Sequence, residues 1–317
     1  MKAIVYTEYG SPDVLELKEV AKPTPKEDEV LVKVYAAAVN SGDLHLLRAD
    51  PFLVRLMAGF LKPKNTILGT DVAGRVEAVG GNVKQFQAGD EVFGNVVAYG
   101  WGGFAEYVCA GEDAFVLKPA NVTFEEAAAV SMAGITALQG LRDHGHIQSG
   151  QRVLINGASG GVGMFAVQIA KSFGAEVTAV CSTRNVDIAR STGADHVIDY
   201  TKEDFTKNGQ HYDLILAANG YHPIADYKRS LSPKGIYVMT GGSGAQTFQA
   251  MLALGPWVAK PNKMDLAFMK ELLETGKVKP VIDRSYPFSE IPDALRYLEE
   301  GHAKGKVVIT LEQKSTV

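Results

Sequence analysis

The 317-residue chain reads as an α/β protein in which a β-rich segment precedes a doubly wound parallel sheet. Two observations predict this class. Residues 1 to about 120 show short apolar runs separated by Gly, Pro and Asp turns, an all-β signature, whereas strand and helix patterns alternate from Val153 onward. A third observation places a ligand crevice on the sheet: residues 150–171, GQRVLINGASGGVGMFAVQIAK, give a strand, a glycine turn and a helix in one run.

Taken in order, residues 1–6 start a strand directly, and further strands are expected at 30–35, 74–79, 91–93 and 104–109. Residues 125–142 carry a helical pattern. Val153, Leu154 and Ile155 form a buried strand, while Val162, Phe165, Ala166, Ile169 and Ala170 recur at helical spacing. Strands at 177–180, 194–200, 213–217 and 235–239 follow, each ending where a crevice opens. Two amphipathic helices, 265–275 and 289–300, flank a strand at 282–286, and 306–310 is the last strand. This return to β character suggests that the C-terminus rejoins the first domain.

The glycine turn has the chemistry of a dinucleotide clamp. Gly157 permits the tight turn, Gly160 has no side chain to hold the backbone off a pyrophosphate, and Gly163 lets the helix approach its strand. The N–H groups over Ser159, Gly160, Gly161, Val162 and Gly163, with the positive end of the helix dipole, favour an anion without a basic side chain. The strand-helix-strand order separates this turn from a plain loop.

An NAD site has an acid about 20 residues beyond the turn to bind the ribose hydroxyls. Here the second strand runs into Cys181-Ser182-Thr183-Arg184-Asn185. Two hydroxyls and a guanidinium suit a 2'-phosphate, so NADPH is expected over NADH. The same residues also suit a polar helix cap, and both roles can coexist.

A net charge of -4 with no basic run argues against a nucleic-acid partner, and the longest apolar segments, such as 251–259, are too short to span a bilayer. No apolar signal core follows Met1, so a cytoplasmic location is expected. Two cysteines, Cys109 and Cys181, cannot build a four-cysteine zinc site, and His144 and His146 read as turn residues.

Collinear motifs over nearly the whole chain carry a family resemblance: Gly69-Thr70-Asp71-Val72-Ala73-Gly74-Arg75-Val76, Gly89-Asp90-Glu91-Val92-Phe93-Gly94, Gly102-Gly103-Phe104-Ala105-Glu106-Tyr107, the block from Gly150 to Lys171, and the ending GHAKGKVVI at 301–309. The chain resembles the zinc-independent, zeta-crystallin-like quinone oxidoreductases of the medium-chain dehydrogenase/reductase superfamily. That resemblance implies a Rossmann domain (123–262) inserted into a GroES-like β-barrel catalytic domain formed by 1–122 and 263–317, with the active cleft at their junction. Zinc-dependent relatives have a cysteine where Asn40 stands and a histidine where Thr70 stands. With both replaced by poorer ligands, no catalytic metal is expected.

The resemblance further places Asn40, Asp43 and Leu44 beside the nicotinamide, Thr136 near its amide, and Thr240, Gly241, Gly242 and Ser243 against the ring or its ribose. Asn40 and Asp43 are the expected catalytic pair, Asn40 bonding a quinone oxygen or a carboxamide and Asp43 holding neighbouring groups in place; an Asx turn is the competing reading for both. Tyr200 and Lys306 are expected at the cofactor, with a core tyrosine and an exposed strand lysine as the alternatives. His45, Arg48 and Tyr6 are proton-donor candidates by proximity alone. The expected activity is hydride transfer from NADPH to a quinone. Reduction of an enone, 2-alkenal or enoyl thioester on the same fold is the alternative, as is a cofactor-binding protein with little turnover. Residues 244–260, with Phe248, Met251, Leu252, Leu254 and Trp257, suit an apolar acceptor pocket or a core or dimer-contact helix, and a homodimer is expected.

Overall fold

A computed structural model describes residues 1–242 and 257–311. Ser243, Phe248, Met251, Leu252 and Leu254 lie outside these residues. The chain divides into two units: unit 1 takes Met1–Met132, Pro261–Glu274 and Ile282–Val317, and unit 2 takes Ala133–Lys260 and Thr275–Val281.

Unit 1 opens with β1 (Lys2–Val5), β2 (Glu16–Glu19), β3 (Glu29–Val39), β4 (Asp71–Val79), β5 (Glu91–Asn95), β6 (Tyr107–Gly111) and β7 (Phe115–Leu117). Unit 2 contains β8 (Arg152–Asn156), β9 (Glu176–Cys181), β10 (His196–Asp199), β11 (Tyr212–Ala217) and β12 (Leu231–Met239), after which β13 (Ile282–Pro287) and β14 (Lys306–Thr310) return to unit 1. In unit 1 the strands run β13-β14-β3-β4-β5-β7, with β6 also paired to β3. β3 is therefore the hub. Its run VLVKVYAAAV is buried at nearly every position, which suits a strand covered on both faces rather than one with a wet side. Val30, Val32, Val34, Ala37 and Val39 join Ile309, Val307 and Leu295 in one core, so the C-terminal strand completes the sheet that the N-terminal residues begin.

The five described strands of unit 2 are all parallel, in the order β10-β9-β8-β11-β12. The chain winds outward from β8 in one direction and then from β11 in the other, so the doubly wound expectation holds. This order places the switch point at the carboxyl ends of β8 and β11, where such sheets open a crevice. The helix expected at 125–142 is interrupted: it appears as Phe124–Ala128 and Ser131–Gln139, followed by a π-turn over Gly140–His144. The break falls at Ala129 and Val130, and Gly140, a poor helix former, stands where the second helix passes into the π-turn.

Two glycines define the β8 turn. Gly157 sits at φ +79°, where a side chain is strained, and a Cβ on Gly163 would stand 2.1 Å from the Gly157 carbonyl oxygen. Backbone faces backbone there, so neither partner can rotate away. Gly163→Ala should lower stability by about 1–3 kcal/mol in urea unfolding and weaken binding of a nicotinamide dinucleotide in fluorescence titration. Unchanged stability would mean that the helix has room to move.

Candidate nucleotide and acceptor sites

In unit 2, Gly160 caps the helix Gly161–Ser172, whose first turn carries the N–H groups of Gly161, Val162 and Gly163. A Cβ on Gly160 would meet only the Gly157 oxygen, at 3.5 Å, leaving the space before the helix open. Ser159 accepts a hydrogen bond from Asn185 Nδ2 at 2.8 Å, which ties the glycine turn to the short turn Thr183–Asn185 after β9. Ser182 is half-buried and Arg184 exposed on the same turn. Thr183 is committed elsewhere: its hydroxyl donates to Asp199 Oδ2 at 2.5 Å and lies 2.9 Å from Thr201 Oγ1. That bond, the largest of several, holds the Asp199 carboxyl down to about 2.

Asn156, Gly157, Tyr200, Asn219 and Tyr221 line a crevice of about 220 Å³ at the carboxyl ends of β8 and β11. Tyr200, half-exposed, leans on Tyr221 with ring centroids 5.5 Å apart. Asn156 donates through Nδ2 to the Asn219 carbonyl and the Tyr227 hydroxyl, while its buried Oδ1 has no partner among the described residues; Asn185 Oδ1 is in the same condition. Buried acceptors of this kind require a donor. Ribose hydroxyls and the adenine amino group are donors, and the open glycine turn suits a pyrophosphate, so these residues fit a dinucleotide. Nearby, Thr240 donates its N–H to the Ala217 carbonyl, and Gly220 bonds Gly241 and bridges Gly242. Thr240 Oγ1 is buried without a partner among the described residues, and Thr136 is half-buried on the helix Ser131–Gln139.

Unit 1 gathers a second polar cluster at the end of β3. Asn40 caps the helix Ser41–Arg48, and Asp43, three residues on, accepts the Asn40 N–H at 2.8 Å and the Gly69 N–H at 3.2 Å. The Asn40 side chain accepts from Lys306 Nζ at 2.6 Å and donates from Nδ2 to Asp71 Oδ2 at 3.0 Å, with Thr70 Oγ1 at 3.4 Å. Asp71 also accepts from Asn95 Nδ2 at 2.7 Å and the Met132 N–H at 3.0 Å. Asp43, Asp71 and Lys306 are 1%, 0% and 4% exposed, whereas Asn40 is half-buried. Burial pushes the Asp43 carboxyl up to about 7 and also raises Asp71; it lowers Lys306, against the pull of the two carboxylates.

Lys306 therefore faces Asn40 and the Val39 carbonyl rather than lying exposed along β14. Leu44 packs against the unit 1 core. Arg48 pairs with Glu299 at 2.7 Å, and the His45 ring bonds the Asp50 carbonyl at 2.8 Å, so both are occupied. The Tyr6 hydroxyl is raised by burial. Sequence reasoning assigned no role to Asp71, Asn95, Asn156, Asn185, Asn219 or Tyr221. The pair Asn219-Gly220, a chain breaker at the carboxyl end of an apolar strand, is the signal that points to the crevice. Among the described residues, no group of three or more His, Cys, Asp or Glu is placed to hold a metal, and no helix is long and apolar enough to cross a membrane.

Two family descriptions match the chain: "Alcohol dehydrogenase GroES-like domain" over residues 26–120 and "Zinc-binding dehydrogenase" over residues 192–309. It is 40% identical to 2-methylene-furan-3-one reductase of Solanum lycopersicum, over 98% of this chain and 79% of the relative. Two Arabidopsis thaliana proteins are each 37% identical over 98% of this chain: the chloroplast envelope quinone oxidoreductase homolog, covered to 98%, and the chloroplastic NADPH-dependent alkenal/one oxidoreductase, covered to 79%. The solved quinone oxidoreductase of Coxiella burnetii superposes with a TM-score of 0.86 at 28% identity, over 98% of this chain and 99% of that one. The plastid addresses of these Arabidopsis relatives overturn the expectation of a cytoplasmic protein. That expectation rested on the missing apolar signal core, which is one address among several.

The elevated Asp43 pKa has a consequence for stability. Between the ordinary carboxyl value of 3.8 and about 7, the native state binds a proton that the unfolded chain has lost, so Asp43 contributes progressively less stability as pH rises through that window. The stability difference between the protein and Asp43→Asn should therefore fall from about pH 4 to about pH 7 and then level off, as followed by urea unfolding. A difference that grows with pH would show that the two N–H bonds, not burial, dominate at this carboxyl.

Proposed function

This chain belongs to the quinone oxidoreductase branch of the medium-chain dehydrogenase/reductase superfamily, and we propose that it reduces quinones and α,β-unsaturated carbonyls with NADPH. The observation that carries the reading is the half-buried Asn40 carboxamide, held by a buried cation and a buried anion where metal-dependent relatives place a metal ligand. The names of the relatives support the acceptor class, since they include quinone and alkenal/one oxidoreductases.

Bound NADPH supplies the hydride equivalent. The N–H groups of Gly161 to Gly163 hold its pyrophosphate, and Tyr200 and Tyr221 flank the adenosine end of the crevice. Arg184 and Ser182 meet the 2'-phosphate; the Thr183 hydroxyl, engaged by Asp199, contributes less. Thr136, Thr240, Gly241 and Gly242 serve the nicotinamide end. Asn40 donates to the acceptor oxygen as negative charge develops there, which is the catalytic contribution of this chain. Asp43 is a positioning residue, because both its oxygens hold backbone N–H groups. Water protonates the reduced product. The donor set does not fit zinc: Asn40 and Thr70 offer an amide and a hydroxyl, and an ammonium already occupies the amide oxygen.

Two measurements test this reading. NADPH oxidation with a benzoquinone, a naphthoquinone and a short enone should show turnover, and no turnover with any of them would leave only a binding protein. NADPH should bind about tenfold more tightly than NADH, a difference of about 1.4 kcal/mol, and Arg184→Ala should remove that preference. Equal affinities in the unmodified protein would take the phosphate role from Arg184.

A further inference from the structure

We propose that Lys306 sets the orientation of the Asn40 carboxamide, so that an N–H and not the carbonyl oxygen is presented to the acceptor. The inference rests on Asn40 being the acceptor's hydrogen-bond donor.

A carboxamide has two orientations of similar shape and opposite chemistry, since one end only accepts and the other only donates. At Asn40 the two ends meet opposite charges. Lys306 Nζ lies 2.6 Å from Oδ1, and Asp71 Oδ2 lies 3.0 Å from Nδ2. A flip would set the NH2 group against an ammonium and the oxygen against a carboxylate, both in a buried setting. Asp71 is itself fixed by Asn95 Nδ2 and the Met132 N–H, and Lys306 by the Val39 carbonyl at 3.2 Å, so neither charge can follow the amide round.

The same contacts leave one N–H for the acceptor. Nδ2 carries two hydrogens, one of which goes to Asp71 at 3.0 Å. Its other neighbours, Thr70 Oγ1 and the Ala38 carbonyl, both stand at 3.4 Å, the long end of a hydrogen bond. That second N–H is weakly held and is the one an acceptor oxygen can take over. A cation on the amide oxygen also draws electron density from the nitrogen, which strengthens the N–H as a donor. Lys306 thus acts through Asn40, as a positioning residue.

A mutant cycle decides the matter. The readouts are kcat for benzoquinone at saturating NADPH, NADPH affinity by fluorescence, and the Asn40 side-chain amide in a ¹H–¹⁵N spectrum, identified by its absence from Asn40→Ala. Lys306→Met should lower kcat about tenfold or more with NADPH affinity unchanged, and should have no further effect on kcat in an Asn40→Ala background. Lys306→Gln keeps a donor of similar length without the charge; it should retain more activity than Lys306→Met and shift the Asn40 amide resonances. If Lys306→Met fails to fold, Lys306→Gln carries the cycle. An equal kcat loss with and without Asn40, or a loss confined to NADPH affinity, would overturn the proposal. So would an Asn40 amide unmoved in Lys306→Gln, a result that stands even if the protein reduces no acceptor.

Discussion

The contact between the Lys306 ammonium and the Asn40 carboxamide is the constraint on which the buried polar cluster of unit 1 depends. A buried ammonium costs several kcal/mol unless its charge and hydrogens are met, and here two buried carboxylates and two oxygens meet them. The partners come from distant parts of the chain: Asn40 and Asp43 follow β3, Asp71 opens β4, Asn95 closes β5, and Lys306 opens β14. The cluster forms only when the C-terminal strand has paired with β3, through Val307 opposite Val39. Sheet closure and site assembly are thus one event.

That arrangement also explains why some of the site was hidden in the sequence. Lys306 precedes Val307-Val308-Ile309 in what reads as a strand, and the alternation rule turns such a lysine outward. β14 instead lies between β13 and β3 and is buried at four of its five positions, Lys306 included. The rule fails because both faces are covered. Asn40 and Asp43 posed the opposite difficulty. Their spacing suits an Asx turn, and the residues that follow, Ser-Gly-Asp-Leu-His-Leu-Leu-Arg, contain a glycine, yet they form a helix capped through Asp43. An Asn followed three residues later by an acid is a helix-start pattern that the same residues share with the turn signal.

The nucleotide side was legible for a physical reason. Close approach between a strand, a turn and a helix requires Gly157 and Gly163 at fixed places, and no other residue type meets the contact of 2.1 Å that a Cβ on Gly163 would face. Backbone constraints of this kind write themselves into sequence. Side-chain partners from separate strands do not. Asn185 reaches back to Ser159 because β8 and β9 are neighbours, and Asp199 takes the Thr183 hydroxyl because β9 and β10 are, in a sheet whose order no local pattern reveals. The same holds for Tyr200 and Tyr221, which follow β10 and β11 and meet beside Gly157.

In the proposed reaction an ammonium-held carboxamide does the work that a metal does in zinc-dependent relatives. The most direct test is elemental analysis of the purified protein, coupled to NADPH-driven quinone or enone reduction before and after dialysis against a strong chelator. Zinc far below one atom per chain and turnover unaffected by the chelator are the expected result. Stoichiometric zinc, with turnover lost on chelation and restored by zinc, would contradict it.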